Sequence, residues 1–255
     1  MRIGRIREKG SGQVRNVAVA GEAAHYLQGE LLTGAEIGSP VNEFETVEIL
    51  PPIVPGKIVC VGLNYLAHVT ENDPERQVPD EPVIFMKPPS ALLGHHGVIQ
   101  IANAGHRTDY EAELAVVIGK ETRNVEPGDA LDFVLGFTCA NDVSDRTLQK
   151  KDGQWIRAKG FDTYCPLGPW IETEADLDSM IVSSSLNGEP RQSQAVSTMI
   201  FPVPFLIAFI SRVMTLQAND VILTGTPEGV GPMQFGDTIE VTVSGVGALT
   251  NTVVA

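Results

Sequence analysis

The segment Asp109-Tyr110-Glu111-Ala112-Glu113-Leu114-Ala115-Val116-Val117-Ile118-Gly119 constrains this chain more than any other. Side chains alternate faces along a strand, so Glu111 and Glu113 fall on one side, followed by Ala115 and Val117. Ala112, Leu114, Val116 and Ile118 take the other side. Both sides are apolar downstream of the acids, the pattern of a strand covered on both faces. Two carboxylates at the mouth of such a strand repel each other. About 5 Å apart at an effective dielectric of about 20, the pair costs roughly 3 kcal/mol. Either the acids are the wet edge of the strand, or a cation lies between them and reverses the sign. A third acid, Asp142, ends another apolar run, Phe137-Thr138-Cys139-Ala140-Asn141-Asp142. Three oxygen ligands with no cysteine or histidine nearby suit a hard ion, Mg²⁺ or Mn²⁺, completed by water or substrate oxygens.

Composition narrows the classes further. The 255 residues suffice for one large domain, or a domain with a small appendage. With 43% hydrophobic and only 20% charged residues, the chain is not of the disordered type. Its 18 Lys and Arg against 32 Asp and Glu give a net charge of −14. Such a surface repels phosphate backbones and anionic lipid, so neither nucleic acid nor membrane is the expected partner. No apolar run reaches the ~18 residues of a membrane-spanning helix. The start, Met1-Arg2-Ile3-Gly4-Arg5, runs straight into charged residues without a signal-peptide core, so a cytoplasmic protein is expected. Cys60, Cys139 and Cys165 are odd in number and lack C-x-x-C spacing, which suggests neither a disulfide framework nor a zinc knuckle.

Strand-like runs at Arg2–Arg7, Val14–Ala20 and Thr46–Leu50 predict a small β-rich unit over residues 1–52. Pro51-Pro52-Ile53-Val54-Pro55-Gly56 interrupts regular structure and marks a boundary, with the larger domain running from 56 to 255. Residues 72–82, polar and proline-containing, read as a mobile loop or lid. Further strands are expected at 57–61, 83–87, 109–119, 133–142, 221–224, 238–244 and 249–254. Asn187-Gly188 reads as a hairpin turn, and 202–213 as a helix with prolines in its first turn. Strands do not alternate with helices, so a β-rich α+β fold is expected rather than a doubly wound sheet. The Gly225-Thr226-Pro227-Glu228-Gly229-Val230-Gly231 segment is either a tight turn or a backbone cradle for an anion, and lacks the P-loop lysine. There is no G-x-S-x-G elbow, and His95-His96 reads as an exposed turn.

Taken in order, several motifs resemble the fumarylacetoacetate hydrolase family, from Lys57 to the C-terminus. They are Val61-Gly62-Leu63-Asn64-Tyr65 with His68, Phe85-Met86-Lys87-Pro88, Asp109-Tyr110-Glu111-Ala112-Glu113 and Asn141-Asp142-Val143-Ser144. Ala158-Lys159-Gly160-Phe161-Asp162, Leu223-Thr224-Gly225-Thr226-Pro227 and Gly245-Val246-Gly247-Ala248-Leu249 follow. The resemblance implies a mixed β-sandwich roll, a homodimer, and a metal held by Glu111, Glu113 and Asp142. It implies that Lys159 lies beside metal and substrate, and that His68 and Glu71 form a catalytic pair on a lid. It also implies substrate contacts from Arg146, Gln149 and Thr226. One departure touches Arg146: the family reads S-A-R-D after the aspartate, whereas this chain reads Ser144-Asp145-Arg146-Thr147.

The activity so implied is divalent-metal-dependent chemistry on 2-oxo or 2-enol acids through a stabilised enolate. Hydrolysis of a C–C bond in an acylpyruvate or fumarylpyruvate comes first, since His68 with Glu71 would activate water. Oxaloacetate decarboxylation and isomerisation of 2-hydroxyhepta-2,4-diene-1,7-dioate are the alternatives on the same site. A non-catalytic protein with a structural metal is the remote one. Read without the resemblance, a lone histidine such as His68 is more often a hydrogen-bonded loop residue than a catalytic base.

Overall fold

The computed structural model describes residues 1–255 except Glu22, residues 30–33, Glu43 and Asn72. At its centre is the strand Ala112–Ile118, every residue of which is buried. Its alternation does what the sequence implies. Leu114, Val116 and Ile118 join one apolar cluster, while Ala115 and Val117 join another on the opposite face. Val134–Asn141 and Val221–Leu223 flank this strand, both antiparallel. Val221–Leu223 then pairs in parallel with Ile58–Gly62, and that strand pairs antiparallel with Val83–Lys87. On the far side, Val134–Asn141 pairs with Cys165–Glu172, and Arg2–Arg7 pairs with Cys165–Glu172 in turn.

The amino-terminal strands Val14–Ala20, Ala23–Gln28 and Glu36–Pro40 extend the same sheet beyond Arg2–Arg7. They carry a small core of their own, built from Ile6, Val17, Val19, Ala24 and Val41.

A second sheet, ordered Glu189–Ala195, Ile181–Leu186, Thr238–Val243, Gly247–Val254 and Val98–Gln100, covers one face of the first. Val182, Val241, Val243 and Leu249 from this sheet meet Leu114 and Val116 from the other. The helix Val203–Val213 closes that core with Leu206, Ile207 and Ile210. Pro202 sits at its N-cap and Pro204 in its first turn, where a missing N–H costs little. The fold is thus a β-rich α+β sandwich. Asn187 and Gly188, at φ 55° and 83°, make the two-residue turn of the hairpin joining Ile181–Leu186 to Glu189–Ala195.

Three local expectations differ from the structure. The single strand expected over 109–119 is two: Thr108–Tyr110 belongs to a small third sheet, and Glu111 is the joint between them. At the joint the ladder is replaced by other bonds. The Glu111 N–H donates to Asn141 Oδ1, and the Asp142 N–H donates to the Glu111 carbonyl, both at 2.9 Å. The run 46–50 is a strand only over Glu48–Leu50, after a short 3-10 turn at Phe44–Thr46. His95 is at a turn but half-buried, because its Nδ1 accepts the Thr250 N–H at 3.1 Å. Burial, with His96 beside it, pulls its pKa down to about 4. Asn72, first residue of the expected lid loop, lies outside the described residues; most of 73–81 is exposed.

All three cysteines are buried thiols. Burial pushes Cys139 and Cys165 up to about 12, which leaves them unreactive at neutral pH. Among the described residues no helix is long and apolar enough to cross a membrane.

Candidate active site

The joint at Glu111 and the end of Val134–Asn141 lie side by side, because Ala112 pairs with Asn141 and Glu113 with Ala140. This register brings Glu111, Glu113 and Asp142 together, with one ligand atom from each lying within 4.8 Å of the others. All three are buried. Lys159, from the short helix Ile156–Lys159, sends Nζ to Glu111 Oε2 at 2.7 Å and Asp142 Oδ2 at 2.6 Å. Arg146 Nη2 lies 2.5 Å from Glu111 Oε1. Glu113 has no ion pair among the described residues; it accepts the Gly225 N–H at 2.7 Å. The glycine-rich turn therefore does offer a backbone donor to an anion, and the anion is Glu113.

The three acids are electrostatically unequal. Burial would raise Glu111, but Arg146 and Lys159 outweigh it and hold the carboxyl well below the ordinary range. Burial raises Glu113 well above that range, and the neighbouring Asp142 and Glu111 charges raise it further. Burial opposes the charge on Lys159, yet Asp142 and Glu111 keep its pKa above the ordinary lysine value. Glu113 is thus the group whose charge the protein alone does not compensate.

The donor set fits a hard divalent cation. It consists of carboxylate oxygens, and one of them is left without a hydrogen bond. The three Lys87 protons go to the carbonyls of Val143, Lys159 and Tyr164, at 3.1, 2.5 and 2.7 Å. Asp142 Oδ1 is 2.7 Å from that ammonium but accepts no hydrogen bond. A buried carboxylate oxygen with unspent lone pairs, beside an uncompensated glutamate, is the chemistry that Mg²⁺ or Mn²⁺ binding uses.

His68 reaches the same place from the helix Leu66–Thr70, with Glu71 at the helix C-cap beside it. One helical turn puts both side chains on one face. Nδ1 of His68 lies 3.1 Å from Glu71 Oε2, while Glu71 Oε1 accepts the Gly229 N–H at 2.8 Å. The pair is therefore anchored to the glycine-rich turn rather than loose in solvent.

Arg146 keeps its aim despite the exchanged neighbours. The buried Asp145 is spent on capping the helix Arg146–Asp152, accepting the Leu148 N–H at 3.0 Å, and on His106 at 2.7 Å. Arg146 Nε donates to Asp109 at 2.9 Å and Nη1 to Gln149 at 2.8 Å. Thr226 is also close, but its hydroxyl donates to the Ala112 carbonyl and accepts from Gln192 Nε2, so its proton serves the backbone. His68, Gln149, Lys159, Thr226 and the three acids line one cavity of 40 Å³. Larger hollows of 530 and 760 Å³ lie elsewhere, and neither is lined by the acidic triad.

The family model described as fumarylacetoacetate (FAA) hydrolase C-terminal matches residues 57–254. The chain belongs to this family. Among similar proteins, the FAA hydrolase family chain is 47% identical over 234 residues to an uncharacterized protein of Archaeoglobus fulgidus, covering 91% of each. It is 40% identical over 229 residues to "Oxaloacetate tautomerase YisK" of Bacillus subtilis, covering 85% of this chain and 76% of that one. A crystal structure described as 5-carboxymethyl-2-hydroxymuconate delta-isomerase from Mycobacterium smegmatis superposes with a TM-score of 0.91 at 42% identity. That match covers 100% of this chain and 99% of the other. The protein is accordingly an enzyme of the FAA hydrolase family, and its strand-rich fold is that family's fold.

Sequence reasoning assigned no role to two buried charges of this FAA hydrolase family site. Asp109 holds both Arg146 and Arg107. Lys87 ends the apolar strand Val83–Lys87, the signal that singled out Asp142, and could have been found by the same argument. Lys87→Met is expected to destabilise the fold by roughly 3–5 kcal/mol, because it leaves three buried carbonyls without their donor and Asp142 with Lys159 as its one remaining ammonium among the described residues. Urea unfolding measures this; a loss below 1 kcal/mol would mean the ammonium is dispensable.

Proposed function

We propose that this enzyme interconverts the keto and enol forms of a compact 2-oxo acid, of the oxaloacetate kind, with Mg²⁺ or Mn²⁺ held by Glu111, Glu113 and Asp142. Bound there, the cation would draw electron density from the substrate's carboxylate and keto oxygens and favour the enol. The remaining work falls to the chain. Glu71, beside Nδ1 of His68, selects the tautomer protonated at that atom, which leaves Nε2 as the base. Nε2 takes a proton from the carbon next to the keto group, and the C–H pair becomes the C=C bond. The carbonyl pair passes to oxygen, and the imidazolium delivers the proton to that oxygen; ketonisation is the reverse. Lys159 keeps Glu111 ionised, bonds Asp142, and adds positive charge where the substrate oxygen turns anionic. Arg146 and Gln149 offer the polar wall for a distal carboxylate.

The observation that carries this reading is that His68, bonded to Glu71 and through it to Gly229, lines the same cavity as the buried carboxylate triad. A single base suffices for moving a proton. The small cavity and the tautomerase and isomerase names among relatives at about 40% identity support placing this ahead of C–C hydrolysis, the first expectation from sequence. Hydrolysis remains the second reading, because the same imidazole can activate water.

The test follows the decay of enol absorbance in fresh oxaloacetate, alongside acetylpyruvate cleavage, with EDTA and after adding Mg²⁺ or Mn²⁺. Metal-dependent acceleration of the first, well above the second, is expected. Acetylpyruvate cleavage without any effect on the enol decay would replace this reading with hydrolysis.

A further inference from the structure

The cavity above the triad is lined by unlike groups: Arg146 and Gln149, which bond each other, and Phe85 and Trp155, which also meet. Trp155 precedes the helix Ile156–Lys159, and its carbonyl accepts the Lys159 N–H at 3.0 Å. The backbone therefore ties the indole to the lysine that bonds Glu111 and Asp142. Two contacts fix where the ring lies. It meets Phe85 edge-on, with centroids 5.2 Å apart at 72°, and Phe85 in turn carries Lys159 Nζ 5.0 Å from its ring centroid. The other contact is with Gly62, where an added Cβ would come within 2.8 Å of the indole. The ring thus lies directly on the backbone at the end of Ile58–Gly62, a close approach that a side chain at 62 would push aside.

The cavity measures 40 Å³, against 530 and 760 Å³ for the hollows elsewhere, so it favours a compact ligand. A substrate longer than the cavity has to extend past its lining, of which the indole is part. Trp155 is half-buried, so its outer side faces solvent and shortening it opens the site outward instead of hollowing a core.

We propose that Trp155 is the specificity-determining residue, its indole on Gly62 and against Phe85 restricting the site to short 2-oxo acids. This rests on the 2-oxo-acid reading above. The probes are N-methyl and N-hexyl oxamate, inert mimics of short and long 2-oxo acids, titrated calorimetrically into the Mn²⁺-loaded protein. Wild type is expected to bind the hexyl compound at least tenfold more weakly than the methyl one. Trp155→Ala is expected to reduce that ratio at least tenfold, with Trp155→Phe intermediate. Gly62→Ala, which adds a methyl to the cavity lining and displaces the ring from its seat, should change it at least threefold. Trp155 and Trp170 are the chain's two tryptophans, so in Trp170→Phe the emission of Trp155 should also shift when an oxamate binds. Ratios within twofold of wild type in Trp155→Ala and Trp155→Phe at unchanged melting temperature would overturn the inference while leaving the 2-oxo-acid reading intact. If Trp155→Ala does not fold, Trp155→Phe and Gly62→Ala decide by the same ratio. Failure of both oxamates to bind wild type would instead remove the 2-oxo-acid site, and this inference with it.

Discussion

Glu113→Gln is expected to make the metal-free protein more stable and to abolish its stabilisation by Mn²⁺ or Mg²⁺. The two effects have opposite signs because Glu113 is the unbalanced member of the triad. Its carboxylate lies within 4.8 Å of two others and has no ion pair among the described residues, whereas Glu111 and Asp142 share Lys159. At an effective dielectric of about 20, a like-charge contact near 5 Å costs roughly 3 kcal/mol, so neutralising Glu113 should recover about 1–3 kcal/mol. Glutamine keeps an oxygen for the Gly225 N–H, so the backbone bond survives.

The pH dependence follows from the same charge. Burial and the neighbouring Asp142 and Glu111 raise the Glu113 pKa above its ordinary 4.5, so the folded state binds its proton more tightly than the unfolded chain does. Its contribution to stability is complete below pH 4.5 and is lost as pH rises through the raised value. EDTA-treated wild type should therefore lose melting temperature across that interval, and Glu113→Gln should lose less. In wild type, excess cation binds the folded state and should restore stability by linkage, by about 2.7 kcal/mol at a hundredfold excess over Kd. Thermal unfolding of both proteins, with EDTA and with Mn²⁺, measures every arm. A variant less stable than wild type in EDTA, or equally stabilised by Mn²⁺, would remove Glu113 from the proposed metal site.

His68→Ala should lower turnover by about 10²–10⁴-fold, the usual worth of a positioned acid–base group, while Mn²⁺ affinity stays within about threefold. The separation is expected because the imidazole bonds Glu71, and no described hydrogen bond joins it to the triad. Glu71→Gln retains an acceptor for the Gly229 N–H but removes the charge beside Nδ1, so a smaller loss, about tenfold, is expected. Turnover of oxaloacetate enol and calorimetric Mn²⁺ titration of each variant make the comparison. An unchanged rate in His68→Ala would leave the pair a structural tether between the helix Leu66–Thr70 and the glycine-rich turn.

Local periodicity was enough to predict much of this enzyme. Alternation along Ala112–Ile118 dictates a strand buried on both faces. Asn187-Gly188 dictates a tight hairpin because both residues accept positive φ, and Pro202 and Pro204 can only begin a helix. The three acids stood out for the same reason: charge at the end of an apolar strand is legible one segment at a time.

What only the tertiary structure decided is how those charges are balanced. Lys159 meets Glu111 across 48 residues, and Lys87 meets the Val143 carbonyl across 56. The break at Glu111 depends on an Asn141 side chain from the neighbouring strand. Spacing along a chain encodes which face a side chain takes, since that follows from backbone geometry within a few residues. It does not encode which distant ammonium neutralises which carboxylate, because that is settled by sheet register and closure once the whole core has packed.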